Sequence, residues 1–342
     1  MTHKLSLILS LWLLLVSPQL TAGSEQASFV LKDSGFQASS QHRIYWLDND
    51  RVLFTGYEIN LEKIDKQGRY GREQNIYIWD TRENRRSIYV KNASLGCYFR
   101  GYIGYSIIEG PSKKGPMGQE RTYLDIHYSK ETWEGEPPEW EEGVKHHPIT
   151  CKAYHWNGRG FPLLPEHGYI ARSTQLPEKE PSHIIWYPKE QTDGHALPIP
   201  NTNRLWDSRF VEFLDAYVIY AEFTTGYWLF KPSNNVTRVD LPAIEGGWYD
   251  FLPMQRGVFA VGGMTSVKRK DDPGNRGAYW VEGSKAHQIM SGYVKAMNVS
   301  PDGCKVAFVR EPHDGRQNAN RTTLHVLTLA KESDHVCTSD AQ

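Results

Sequence analysis

Two short stretches bring carboxylates, a guanidinium and aromatic rings within a few residues of one another. Expected as neighbouring inner strands, WDSRFVEFLDA (206–216) holds Trp206, Arg209, Glu212 and Asp215, and GGWYDF (246–251) holds Trp248, Tyr249 and Asp250. Aromatic rings stack on apolar faces of ligands such as sugars, and a carboxylate beside a guanidinium can bind hydroxyls or move protons. The set is therefore a candidate ligand floor, with Arg209, Trp206, Trp248 and Tyr249 as binding residues and Glu212 and Asp250 as candidate acids or bases. Asp48, Asp207 and Glu245 are further acidic candidates. The competing reading is structural, with these residues lining a narrow water-filled channel.

Histidines concentrate at 127, 146, 147 and 155, and Asp125 precedes the first of them by two residues in LDIHY. On a strand, residues two apart share a face, so Asp125 and His127 are a candidate metal pair, and His127 a candidate catalytic base. The spacing fits no zinc or calcium motif. The expectation is no cofactor, with a divalent metal as the alternative. Nucleophile chemistry lacks its signatures: there is no GxSxG elbow and no sialidase box, and neither a P-loop nor a dinucleotide fingerprint occurs. The Gly246-Gly247 and Gly262-Gly263 pairs read as tight turns.

Cations gather in long polar segments. Lys113 and Lys114 lie in EGPSKKGPMGQER (109–121), and Lys268, Arg269 and Lys270 in MTSVKRKDDPGNR (264–276). Arg69 and Arg72, then Arg276, Arg316 and Arg321, extend the set, while Glu62, Asp65, Asp271 and Asp272 interleave with it. An electropositive rim would attract an anionic ligand or an acidic partner. The whole chain has a formal charge of −1, so nothing global points to nucleic acid.

The residues before position 24 carry Lys4, an apolar run from Leu5 to about Val16, and small residues at Ala22 and Gly23. That is the layout of a cleavable secretory signal, too short in its apolar part to span a bilayer comfortably. The expectation is a signal peptide over 1–23 and one domain over 24–342, secreted or periplasmic, with no membrane insertion after cleavage. Export suits the even set of four cysteines, Cys97, Cys151, Cys304 and Cys337, none in a CxxC pair. Of three possible pairings the local ones, Cys97–Cys151 and Cys304–Cys337, are favoured. Sequons stand at Asn92, Asn235, Asn298 and Asn320.

The elements that position these residues repeat. KVAFV (305–309) has cousins in RVLFTG at Arg51, YIGYSI at Tyr102, GYIARS at Gly168, YVIYAEF at Tyr217 and GVFAVGG at Gly257. Each is followed by an aromatic or β-branched strand and, in most copies, a polar turn and another strand, as in NIYIWDTRENRRSIYV (75–90) and GYWLFKPSNNVTRVDLP (226–242). Six such units, about 40 to about 65 residues apart, predict an all-β six-bladed β-propeller with four-stranded antiparallel blades. ASFVLK (27–32) alternates and is expected to close the ring by pairing with the unit that ends near Cys337.

The C-terminal unit, SPDGCKVAFVREPHD followed by TTLHVLTLAKE, resembles the TolB-type propeller repeat. In that pattern a Ser-Pro-Asp-Gly turn leads into a KIAFV-like strand and then an EIYVMDL-like strand. NIYIWDT matches its second half; the remaining units match loosely. The resemblance implies a propeller found in protein-interaction modules, in peptidase propeller domains and in some polyuronate lyases, and so leaves function open. No hydrolase domain is read after it, so a peptidase role is not expected. The expectation is a binding module that recruits an envelope or extracellular protein, or an anionic glycan, through its loop-rich face. The alternative is a lyase or hydrolase acting on an acidic polysaccharide. An acidic insertion with Trp133 and Trp140 (129–148) is expected on the opposite face.

Overall fold

Alternating β-branched and aromatic residues, punctuated by Gly, Asp and Asn, build strands and tight turns throughout this chain. The structure, a computed structural model, describes residues 29–39, 43–64, 70–99, 102–114, 120–130, 161–164, 166–172, 183–200, 206–221, 224–233, 235–263, 274–311, 322–330 and 337. The first strand is β1 (Phe29–Gln37). Sheet I follows with β2 (Tyr45–Trp46), β3 (Arg51–Ile64), β4 (Tyr70–Asp80) and β5 (Arg85–Val90). Sheet II has β6 (Ala93–Phe99), β7 (Tyr102–Lys114) and β8 (Glu120–Lys130). Sheet III has β9 (Phe161–Pro162), β10 (Tyr169–Arg172), β11 (His183–Tyr187) and β12 (His195–Pro200). Sheet IV has β13 (Trp206–Val211), β14 (Ala216–Ala221), β15 (Gly226–Lys231) and β16 (Asn235–Asp240). Sheet V has β17 (Trp248–Pro253), β18 (Val258–Gly262), β19 (Gly277–Glu282) and β20 (Lys285–Ser291). Sheet VI has β21 (Tyr293–Val299), β22 (Lys305–Glu311) and β23 (Thr323–Leu329), with β1 as its outermost strand.

All pairings in these sheets are antiparallel meanders, and each of the six repeat copies read from the sequence is the second strand of its sheet. Neighbouring sheets pack face to face, as propeller blades do. Tyr217, Ile219 and Phe230 of sheet IV meet Ile170, Ile184 and Trp186 of sheet III. Val218 and Tyr220 meet Trp248 and Phe251 of sheet V, whose Phe259 meets Phe308 of sheet VI. Ala307, Val309 and Val326 of sheet VI then meet Trp46, Phe54 and Trp79 of sheet I. The apolar faces thus form successive cores between sheets, which is why the second strands of IV, V and VI are buried on both faces.

The N-terminal strand fills the place expected of it, although it runs to Gln37 rather than ending at Lys32. Phe29 to Asp33 pair with Leu329 to His325, and a bulge precedes the Gln37–Thr323 pair. Past Gln37 the chain crosses to sheet I, where Ala38 bridges to Gly56 and the Ser39 amide donates to Thr55 O. The outermost position of sheet VI is held by β1. Cys337 bonds Cys304, as the sequence suggested. Cys151, and with it the Cys97–Cys151 pairing, lies outside the described residues, as do the signal segment and the insertion at 131–148.

Turns between first and second strands interlock at one end. In SPDG, Asp302 Oδ1 accepts from the Cys304 amide at 3.0 Å, and the Asp302 amide donates to Asn49 Oδ1 of sheet I at 3.1 Å. Lys305 Nζ donates to Asn49 O at 2.8 Å and to Asp50. Gly303 has φ +73°, and a Cβ there would lie 2.7 Å from the Phe213 ring of sheet IV, so two requirements select glycine. Among the described residues the one helical element is a 3-10 turn, Glu212–Leu214, between β13 and β14.

Candidate functional site

The two stretches that carry candidate chemistry are brought together, but as a clamp. Asp207 and Arg209 lie two apart on β13, and Asp207 pairs with Tyr220 of β14, so all three share the face turned to sheet V. Arg209 Nη2 lies 3.1 Å from Asp250 Oδ2 on β17, with 24% and 16% of the two side chains exposed. Tyr220 donates its hydroxyl to Asp250, whose Oδ1 also accepts the Phe251 amide at 2.7 Å. Asp207 Oδ1 accepts the Ser208 amide at 2.8 Å. Burial pushes the Asp250 carboxyl above the ordinary carboxylate range, against the pull of Arg209 and the Tyr220 bond. Burial, then the Asp250 charge, push Tyr220 well above its ordinary value. Burial opposes the Arg209 cation, yet Asp250, Tyr220 and Asp207 outweigh it and hold the guanidinium charged. Arg209 Nη1 is buried without a hydrogen-bond partner, closed to solvent. The chemistry available here is the joining of two inner strands.

A second constellation lies at the opposite end from the interlocked turns. There the connections from second to third strands leave sheets V and VI, at 264–273 and 312–321. Arg276, 8% exposed, enters β19 from the first connection and sets its guanidinium 4.0 Å from the centroid of the Tyr293 ring. Lys295 Nζ lies 5.8 Å from the same ring and 3.0 Å from Glu311 Oε2. Arg310 Nε donates to Ser291 O at 2.8 Å, and the Gly292 amide donates to Arg276 O at 3.1 Å, which fixes the junction of β20 and β21. Glu245 accepts from Asn275 Nδ2 at 3.1 Å on the sheet V side. Two cations, Arg276 and Lys295, thus lie by the Tyr293 ring at this mouth, Lys295 also pairing with Glu311, while Arg310, opposite Val294, belongs to the other face of sheet VI. A cation held on a ring face is directed and partly desolvated, which strengthens its attraction for an anion.

The other sequence candidates fall elsewhere. Trp248 is 1% exposed, its indole N–H donates to Pro242 O at 2.8 Å, and it packs edge-on to Tyr279. It packs in the core beside sheet V, with Phe251 and Tyr279. Glu212 sits exposed in the 3-10 turn, off the strand that was expected to run from Trp206 to Ala216, and so stands apart from Arg209. Asp215 ends that turn in the left-handed region at φ 46°. Asp48 accepts from the amides of Asp50 and Arg51 and pairs with the Arg51 guanidinium at 2.7 Å, a turn-capping role. Tyr249 is half-buried against the sheet V core. Trp206 lies on β13, and Asp125 and His127 lie on β8, opposite Ile107 and Tyr105; their side chains are outside the described residues. Lys268, Arg269 and Lys270 are also outside them, in the connection that leads into Arg276. Among the described residues no group of three or more potential metal ligands occurs, and no helix is long and apolar enough to cross a membrane. Sequence reasoning missed Tyr220, Tyr293, Lys295 and Arg310. The signal available was alternation in GYVKAMNV, which marks a first strand whose start abuts two connections.

Sheet order and packing define an all-β protein of propeller-like, antiparallel blades. No protein-family model matches the sequence, and no curated protein matches it. Solved structures similar to it include a streptogramin B lyase, at 11% identity over 88% of this chain and 98% of the other, with a TM-score of 0.39. TolB from Acinetobacter baumannii is 10% identical over 88% of this chain and 62% of its own, with a TM-score of 0.28. The Myceliophteria thermophila Cps50 (Swd1) β-propeller domain is 10% identical over 89% and 99%, with a TM-score of 0.33. At these scores the likenesses add nothing to the sheet order already described.

Proposed function

We propose that the chain is an exported six-bladed β-propeller whose loop-bearing end binds an anionic polysaccharide. The observation that carries this reading is the placing of Arg276 on the Tyr293 ring, with Lys295 beside it, at the mouth between sheets V and VI. In sequence, the segments that follow β18 and β22 carry Lys268, Arg269, Lys270, Arg316 and Arg321. Long-range attraction by such a rim, with a ring for a sugar face, suits a polymer of acidic sugars. Six sheets with β1 completing the last support the closed ring, and the Cys304–Cys337 disulfide supports an oxidising compartment reached through the 1–23 signal. The Arg209–Asp250 clamp, spent on joining strands, favours a binder over a catalyst.

The test is calorimetric titration of the mature protein with polygalacturonate and, separately, heparin, with neutral dextran as control. Binding that weakens with salt and falls in K268Q/R269Q/K270Q is the expected result. Equal affinity of that variant, or no heat with either polyanion, sinks the reading and turns attention to an acidic protein partner. New absorbance in the unsaturated-uronate band would make the same site that of a lyase.

A further inference from the structure

An acid stands at the mouth that the attraction of an anion does not explain. Glu311 lies directly opposite Tyr293 in the β21–β22 ladder, and Lys295 lies opposite Val309 two residues on. The three side chains of Tyr293, Lys295 and Glu311 therefore share one face of sheet VI. Glu311 keeps 9% of its side chain exposed, against 42% for Lys295. Lys295 Nζ donates to Glu311 Oε2 at 3.0 Å, and among the described residues this is the one partner of the carboxylate. A carboxylate paired with an ammonium offers acceptor sites only, about four over its two oxygens. Most of them are left open here, on a group too buried to turn into water.

Ring, cation and acceptor are the three complements of one acidic sugar. A uronic acid carries an apolar face for Tyr293, a carboxylate for Lys295 and ring hydroxyls that donate. Lys295 has three donors and spends one on Glu311, so the exposed ammonium can also bind a ligand carboxylate. Arg276, 4.0 Å from the centroid of the Tyr293 ring, holds that ring in place. A sulfate ester on the sugar replaces a donor with an anion. Against a fixed carboxylate this removes a charge-assisted hydrogen bond and adds like-charge repulsion. Sites built to bond a hydroxyl reject analogues that lack it, because the buried acceptor is left unpaired.

We propose that Glu311 determines specificity at this mouth, accepting a hydrogen bond from a free ring hydroxyl of the sugar whose carboxylate Lys295 holds. The inference rests on the anionic-polysaccharide reading of the same site. It narrows the ligand class to polyuronates with unsubstituted hydroxyls and turns away chains that owe their charge to sulfate esters. Lys295 attracts both kinds of chain; Glu311 separates them.

The experiment is calorimetric titration of the mature wild type, E311Q, E311A and K295Q at fixed ionic strength. Three probes of matched length are used: polygalacturonate, its O-acetylated form and its O-sulfated form. Acetylation removes hydroxyl donors without adding charge, and sulfation does both. Melting temperature is recorded for every variant. Wild type should bind each substituted form about tenfold more weakly than the parent polymer, the loss of one hydrogen bond to a charged group. E311Q keeps a carbonyl acceptor without the charge, so it should retain the acetyl penalty and lose the extra penalty against sulfate. In E311A, if folded, both penalties should vanish as affinity for the parent polymer falls. Tighter binding of the sulfated form by wild type overturns the proposal and leaves the mouth reading standing. So does an unchanged ranking of the three probes in E311Q. K295Q should weaken all three probes together. Unchanged affinities in K295Q, or no binding of any probe by wild type, overturn the mouth reading and this inference with it.

Discussion

Two buried titratable residues respond to pH with opposite sign. His325 is 3% exposed, stacked on Phe308 at 5.4 Å, with Nε2 2.6 Å from Thr323 Oγ1 and Nδ1 buried without a partner. Burial lowers its pKa, Asp33 raises it, and Arg310 lowers it further. A lowered histidine adds stability above the ordinary value of about 6.5, and that stability is lost as pH falls towards the folded pKa. Acid titration of unfolding free energy should therefore show a decline below pH of about 6.5 that H325F, which keeps a ring on Phe308, flattens. Asp250 behaves the other way. Its raised pKa means that its contribution is full below the ordinary carboxylate range and is lost as pH rises through the folded value. R209M strips the pairing cation and should destabilise by about 3 kcal/mol at neutral pH. In urea melts that loss should shrink on acidification, as Asp250 takes up its proton; a loss independent of pH would count against a charge effect. These residues were only partly legible. Arg209 and Asp250 were readable as neighbours on inner strands, but which indole nearby would face a ligand and which the core depended on the bulge between Trp248 and Asp250.

At the scale of elements, the repeated strand was the clearest signal, because a second strand buried on both faces must be an unbroken apolar run. KVAFV and YVIYA are such runs. First strands carried less signal: β2 has two residues and β9 two, too short for any period to show. The run from Trp206 to Ala216 read as one strand because Phe213 and Leu214 are apolar, whereas both serve in the 3-10 turn that Phe213 lays against Gly303. The disulfide belongs to this scale too. It ties Cys304, in the turn before β22, to Cys337 beyond β23, a separation of 33 residues. Loop-closure entropy assigns such a link about 3.5 kcal/mol. Thermal melts of C304S/C337S, or of wild type in reductant, should fall accordingly, while a melting temperature that stays put would mean that the Lys305 and Asp302 contacts to Asn49 already hold this turn.

For the whole molecule, legibility followed repetition. Sheet order, the second strands and the pairing of the N-terminal strand with the last sheet were readable, since each repeats a pattern or completes one. The mouth between sheets V and VI was not, because its cations come from separate sheets: Arg276 before β19 and Lys295 on β21. Only packing of sheet on sheet brings them to one ring. The same packing gives the outermost position of sheet VI to β1, with some 250 residues of other sheets between it and β21. The first strand to be synthesised is thus among the last to find its partner. At ribosomal rates of about 5 to about 20 residues per second, Phe29 waits on the order of half a minute for Leu329 to be made. Until then β1 has no ladder partner. Sheet VI of such a chain gains its outermost strand only when synthesis has reached β23.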